Sequence, residues 1–115
     1  MPIKVYYLDD EEALCENFAD CFASKDVNVT TFGDPKLAIE ATLKSSPNLF
    51  FIDYRLPGTT GDEFAKALDP KLPKFLITGD ISVKTEYQFV RVFPKPYSEQ
   101  DIAEVIKSFV GKVAA

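Results

Sequence analysis

Residues 49–61 read LFFIDYRLPGTTG, in which four apolar residues are followed at once by a carboxylate, Asp53. A short unbroken apolar run, aromatic and β-branched and closed by Pro57, Gly58 and Gly61, has the pattern of a strand buried on both faces. Its acid then falls where the strand emerges. A charge in that place needs either a plain turn role or a chemical one.

Similar β-rich runs occur at IKVYYL (3–8), VNVTTF (27–32), KFLIT (74–78) and VRVF (90–93). Helical patterns lie between most of them. Leu14, Phe18, Cys21 and Phe22 form one apolar face, and Leu37, Ala38, Ala41 and Leu43 a second. Phe64, Ala65 and Leu68 form a third, and Ile102, Val105, Ile106 and Phe109 a fourth. Asp34-Pro35 predicts a capped helix start, and Ser98 with Asp101 predicts a capping box. Buried strands alternating with amphipathic helices indicate a doubly wound α/β domain with a parallel sheet.

The composition narrows the function. At 115 residues and 46% hydrophobic, the chain matches one domain with one core, here residues 1–115. A net charge of −5 without histidine gives no overall attraction to phosphate backbones, so no direct nucleic-acid contact is expected. Cys15 and Cys21 fit neither a CxxC redox pair nor a usual zinc spacing, and are expected to be reduced, small core or near-core residues. No apolar run reaches membrane-spanning length, and the expected location is the cytoplasm.

In an open parallel sheet, ligands bind beyond the carboxyl ends of the strands. Those positions hold Asp9-Asp10, Asp53, Thr78-Gly79-Asp80 and Lys95. Three converging carboxylates repel one another, and a divalent cation relieves that repulsion; oxygen ligands with room for water suit Mg²⁺. Lys95 and Thr78 add a positive charge and a hydroxyl suited to phosphoryl oxygens. Each group also has a plain reading, as an acidic helix start, a turn residue or a solvated lysine before a proline. It is their meeting in one cleft that favours a phosphoryl site.

DD after strand one, D53YRLPGTTG61, T78-G79 and K95-P96, in that order over essentially the whole chain, resemble the receiver domain of two-component response regulators. The resemblance implies a flavodoxin-like sheet of order 2-1-3-4-5 and a phosphoacceptor signalling protein rather than an enzyme. Asp53 would accept the phosphoryl group from a phosphohistidine of a sensor histidine kinase or histidine phosphotransfer protein. Asp10, Asp53 and the backbone carbonyl of Arg55 would bind Mg²⁺ (or Mn²⁺) directly, and Asp9 through water. Thr78, the Gly79 N–H and Lys95 would hold the phosphoryl group. Arg55 and Asp80 would tune its lifetime, and an ion pair between them is expected across the entrance. The resemblance also suggests a cis Lys95-Pro96 bond.

The chain departs from the family in two places. Val92 stands where receivers commonly carry an aromatic residue that moves on activation, and a stiff branched side chain has no ring to move. The stretch between Thr78 and Lys95 is also short for the family, and Ile81, Val83 and Thr85 disfavour helix there. A reduced or missing fourth helix is expected, with one or two of Tyr87, Phe89, Phe93 and Tyr97 exposed as a contact patch. No output segment is expected after the last helix, so the chain reads as a stand-alone receiver with an unknown downstream protein partner. Two other classes remain in view. One is a degenerate receiver acting as a phosphorylation-independent binding module. The other is a flavodoxin-like cofactor protein, against which the acids of DDEEA speak because they would repel a phosphate. A haloacid dehalogenase-type phosphatase would need a D-x-D pattern after strand one that this chain lacks.

Overall fold

The computed structural model describes residues 2–80 and 82–114, with no account of the side chains of 113 and 114. Five parallel strands form one sheet: β1 (Ile3–Leu8), β2 (Val27–Phe32), β3 (Leu49–Asp53), β6 (Lys74–Thr78) and β7 (Arg91–Pro94). Their order is β2-β1-β3-β6-β7, which is 2-1-3-4-5 among the main strands. A small antiparallel hairpin, β4 (Arg55–Leu56) and β5 (Thr59–Thr60), follows β3. The sequence pattern did not predict it. Pro57 and Gly58 turn it, with Gly58 at φ 72°, as a type II turn requires.

Period-two alternation along the central strands sends side chains into two cores. Val5, Tyr7, Phe51, Phe75 and Phe93 face α1 (Glu12–Phe22) and α4 (Glu99–Ala114). Tyr6, Leu8, Phe50 and Ile52 face α2 (Pro35–Lys44) and α3 (Gly61–Lys66). Both faces of β3 are thereby buried, so its chain can surface only at its end, which is Asp53.

Two helix faces differ from expectation. On α1 the inward residues are Cys15, Phe18 and Phe22, whereas Cys21 is exposed. The stripe starts at Cys15 rather than at Leu14, and it is Cys15 whose thiol lies 3.2 Å from the Asp9 carbonyl. On α2, Leu37 and Leu43 are exposed; Ala38 is buried, with Ile39 and Ala41 packed beside it. Ala38, Ile39 and Ala41 thus supply the face that meets the core, while Leu37 and Leu43 point outward. Asp34 does cap α2 by accepting from the Lys36 N–H at 2.9 Å. Ser98 caps α4 through the Asp101 N–H at 3.2 Å, while the Asp101 carboxylate turns to Arg91 instead of completing a capping box.

Among the described residues no helix lies between β6 and β7; Ile81 lies outside them. An irregular strap replaces it, fastened by polar groups. The buried Asp62 carboxylate accepts the Tyr87 and Glu86 N–H groups at 2.7 and 3.2 Å, and Lys66 meets Glu86 at 2.7 Å. Lys74, itself buried, donates to the carbonyls of Asp69 and Leu72 and to the Tyr87 hydroxyl at 2.6, 3.1 and 2.8 Å. Its three ammonium donors are all used. Tyr87 and Phe89 pack against the α2/α3 core, Tyr97 packs against the other, and Phe93 is buried. The expected aromatic patch is therefore absent among the described residues. Among the described residues of this region the large exposed apolar side chains are Val90 (65% exposed) and Val92 (52%), because the strap takes the aromatics inward.

Candidate phosphoryl-transfer site

Four strand ends deliver residues to one place. Asp53 closes β3, Thr78 closes β6, Asp9 and Asp10 follow β1, and Lys95 follows β7 after the Lys95 N–H donates to the Thr78 carbonyl at 3.0 Å. A cleft of about 480 Å³ opens there, lined by Asp10, Asp53, Arg55, Thr78, Gly79, Asp80 and Lys95. Glu11 lines it as well and was not predicted; its neighbours in the acidic run gave the available signal. Asp9 lies behind the cleft wall, fully buried.

Burial does not leave Asp9 bare. Its Oδ2 accepts from the Tyr7 hydroxyl and from Lys95 Nζ, both at 2.8 Å, and its Oδ1 accepts from the Glu11 N–H at 2.9 Å. Lys95 Nζ also reaches Asp53 Oδ1 at 2.9 Å, so one ammonium bridges two carboxylates. Burial opposes the charge on Lys95, yet those two acids outweigh it and leave the lysine pKa above its ordinary value. Burial pushes the Asp53 pKa up; the Lys95 hydrogen bond opposes this and the Asp9 charge adds to it. Burial, with Asp9 beside it, likewise raises the Tyr7 phenol.

One carboxylate oxygen from each of Asp9, Asp10 and Asp53 lies within 4.8 Å of the others. Such a hard oxygen set, open to the cleft through Asp10 and Asp53, fits a small divalent cation with water completing its coordination. Asp9, with three donors already on it, has little capacity left for direct coordination.

The mouth of the cleft is bounded by an ion pair, Arg55 Nη2 to Asp80 Oδ2 at 3.0 Å. Hydrogen bonds from Ser82, with Arg55 adding to them, hold the Asp80 carboxyl below its usual range. Thr78 Oγ1 accepts from the Asp80 N–H at 3.1 Å, and among the described residues its hydroxyl donates to no acceptor. Gly61 fixes the floor. A Cβ there would stand 2.5 Å from the Asp53 carbonyl oxygen and 3.0 Å from Leu76 Cδ1. The Lys95-Pro96 bond is cis.

Residues 5–107 match the response regulator receiver domain family. A curated relative, the probable transcriptional regulatory protein TcrX of Mycobacterium tuberculosis, is 31% identical over 86 residues, which are 72% of this chain and 37% of that protein. The chain thus spans well under half of that relative. Among solved structures, the signal receiver domain of an HD domain-containing protein from Pseudomonas fluorescens is similar with a TM-score of 0.86 at 16% identity, covering 97% of both chains. The chemotaxis response regulator CheY4 of Vibrio cholerae is similar with a TM-score of 0.81 at 18% identity, covering 95% of this chain and 99% of that one. At such identities these structures bear on the fold alone, which they share with this chain. By the family match over residues 5–107, and with an acidic triad at the sheet's carboxyl edge, the chain belongs to the response regulator receiver domain family.

Proposed function

We propose that residues 1–115 form a receiver that takes a phosphoryl group from a phosphohistidine of a sensor kinase or phosphotransfer protein onto Asp53. The observation that carries this is the Lys95 ammonium, held 2.9 Å from Asp53 Oδ1 at the mouth of the acidic triad. An Asp53 oxygen attacks phosphorus as the P–N bond to the donor imidazole breaks, giving an acyl phosphate. Lys95 keeps Asp9 and exchanges Asp53 for a phosphoryl oxygen. Thr78 turns its hydroxyl proton to another, and the Gly79 N–H supports a third contact. Asp10, Asp53 and the Arg55 carbonyl would hold Mg²⁺ (or Mn²⁺), which when bound offsets charge on the acids and the phosphoryl oxygens. Because such a transfer depends on positioning and charge, a site without a general base is sufficient. The protein works in the cytoplasm and passes its signal on by contacts with a downstream protein.

Val92, exposed and without a ring to move, favours a second reading, a binding module that works without phosphorylation. Loading with a small acyl phosphate and Mg²⁺ separates the two: mass gain in the wild type and none in Asp53→Asn supports transfer. No gain in either leaves only the module.

A further inference from the structure

Tyr7 sits in a fully buried position of β1, stacked on Phe18 with ring centroids 4.2 Å apart and planes 9° from parallel. Phenylalanine would fill that place equally well, and a buried hydroxyl needs a partner to be tolerated there. Its partner is Asp9 Oδ2 at 2.8 Å, the same oxygen that holds Lys95.

We propose that Tyr7 is a positioning residue of the phosphoryl site, whose hydroxyl orients Asp9 toward Lys95 and tempers the pull of that carboxylate on both the lysine and a divalent cation. A carboxylate offers about four acceptor directions, and three are taken by the Tyr7 hydroxyl, Lys95 Nζ and the Glu11 N–H. The hydroxyl therefore draws charge from the oxygen that Lys95 shares. Without it, Asp9 grips Lys95 harder and draws the ammonium back toward itself, so the lysine reaches less well to an arriving phosphoryl oxygen beside Asp53. The freed acceptor direction also strengthens attraction to a cation beside the triad. Two measured quantities then move in opposite directions, which a purely structural role for the ring does not produce.

This inference rests on the phosphoryl-site reading, and the experiment distinguishes the two. Mg²⁺ affinity is measured by calorimetry, and the rate of loading with a small acyl phosphate at saturating Mg²⁺ by mass spectrometry. Wild type, Tyr7→Phe, Asp9→Asn and the double variant are compared. Tyr7→Phe keeps the ring, and is expected to bind Mg²⁺ about threefold to tenfold more tightly while loading more slowly by a similar factor. Both effects should vanish in the Asp9→Asn background. If the wild type binds Mg²⁺ and loads while Tyr7→Phe does both equally well, or loses both together, the role given to Tyr7 is wrong. A wild type that neither binds nor loads overturns the phosphoryl-site reading, and this inference with it.

Discussion

Arg55 and Asp80 meet at 3.0 Å across the mouth of the cleft, joining the hairpin after β3 to the loop after β6. The arginine is 76% exposed, so the pair adds little to folding stability. Its place suggests an effect on access. We propose that the pair hinders the water that would hydrolyse a phosphoryl group on Asp53.

Removing Arg55 should therefore leave thermal stability nearly unchanged and shorten the life of the phosphorylated state. Following decay of phosphorylated Arg55→Ala beside the wild type checks this. Equal or slower decay in the variant would remove the gating role.

Stability should depend on pH through Asp53. Its folded pKa is raised, so the folded state holds that proton more tightly than the unfolded chain does. The contribution is fully present below the ordinary carboxylate value of about 3.9 and is lost as pH rises through the higher folded value. Asp53→Asn, free of this loss, should melt higher than the wild type at neutral pH in chelator, with the gap closing as pH falls. Melting curves across pH test it; a variant that melts lower at neutral pH contradicts it.

Gly61 touches the backbone of Asp53. An added methyl 2.5 Å from the Asp53 carbonyl must displace β3 or α3. Overpacking of this kind typically costs about 1–3 kcal/mol. Gly61→Ala should lose stability of that order in urea unfolding and load more slowly, whereas an unchanged midpoint would show that the floor yields freely.

Lys74 holds the strap. Lys74→Met keeps the volume but leaves the Asp69 and Leu72 carbonyls and the Tyr87 hydroxyl without their donor. A loss of about 1–3 kcal/mol is expected. Hydrogen exchange should also quicken at the Glu86 and Tyr87 amides, which Asp62 now secures alone. Unaltered exchange there would mean that the lysine does not fasten the strap.

Much of the fold was legible because burial on both faces writes a simple pattern. LFFI and KFLIT announce themselves as central strands, and the acids and lysine beyond the strands follow from topology alone. Helix faces were harder, since Cys21 and Leu43 satisfy a period of 3.6 as well as Cys15 and Ala38 do, and only packing distance decides. The pattern places one or two aromatics of the fourth segment at the surface, because the anchors of Tyr87, Asp62 and Lys74, are charged residues whose burial no local pattern reveals. Tyr7 was missed for a related reason: within IKVYYL it looks like any strand aromatic, and its hydroxyl gains meaning only beside Asp9.

The central claim is that Asp53 accepts a phosphoryl group. The direct measurement is the mass of wild type and Asp53→Asn after incubation with a small acyl phosphate, with Mg²⁺ and with chelator. One phosphoryl group on the wild type, dependent on Mg²⁺ and absent from the variant, is the predicted result. Equal loading of both proteins, or no loading of the wild type with Mg²⁺ present, would contradict the account.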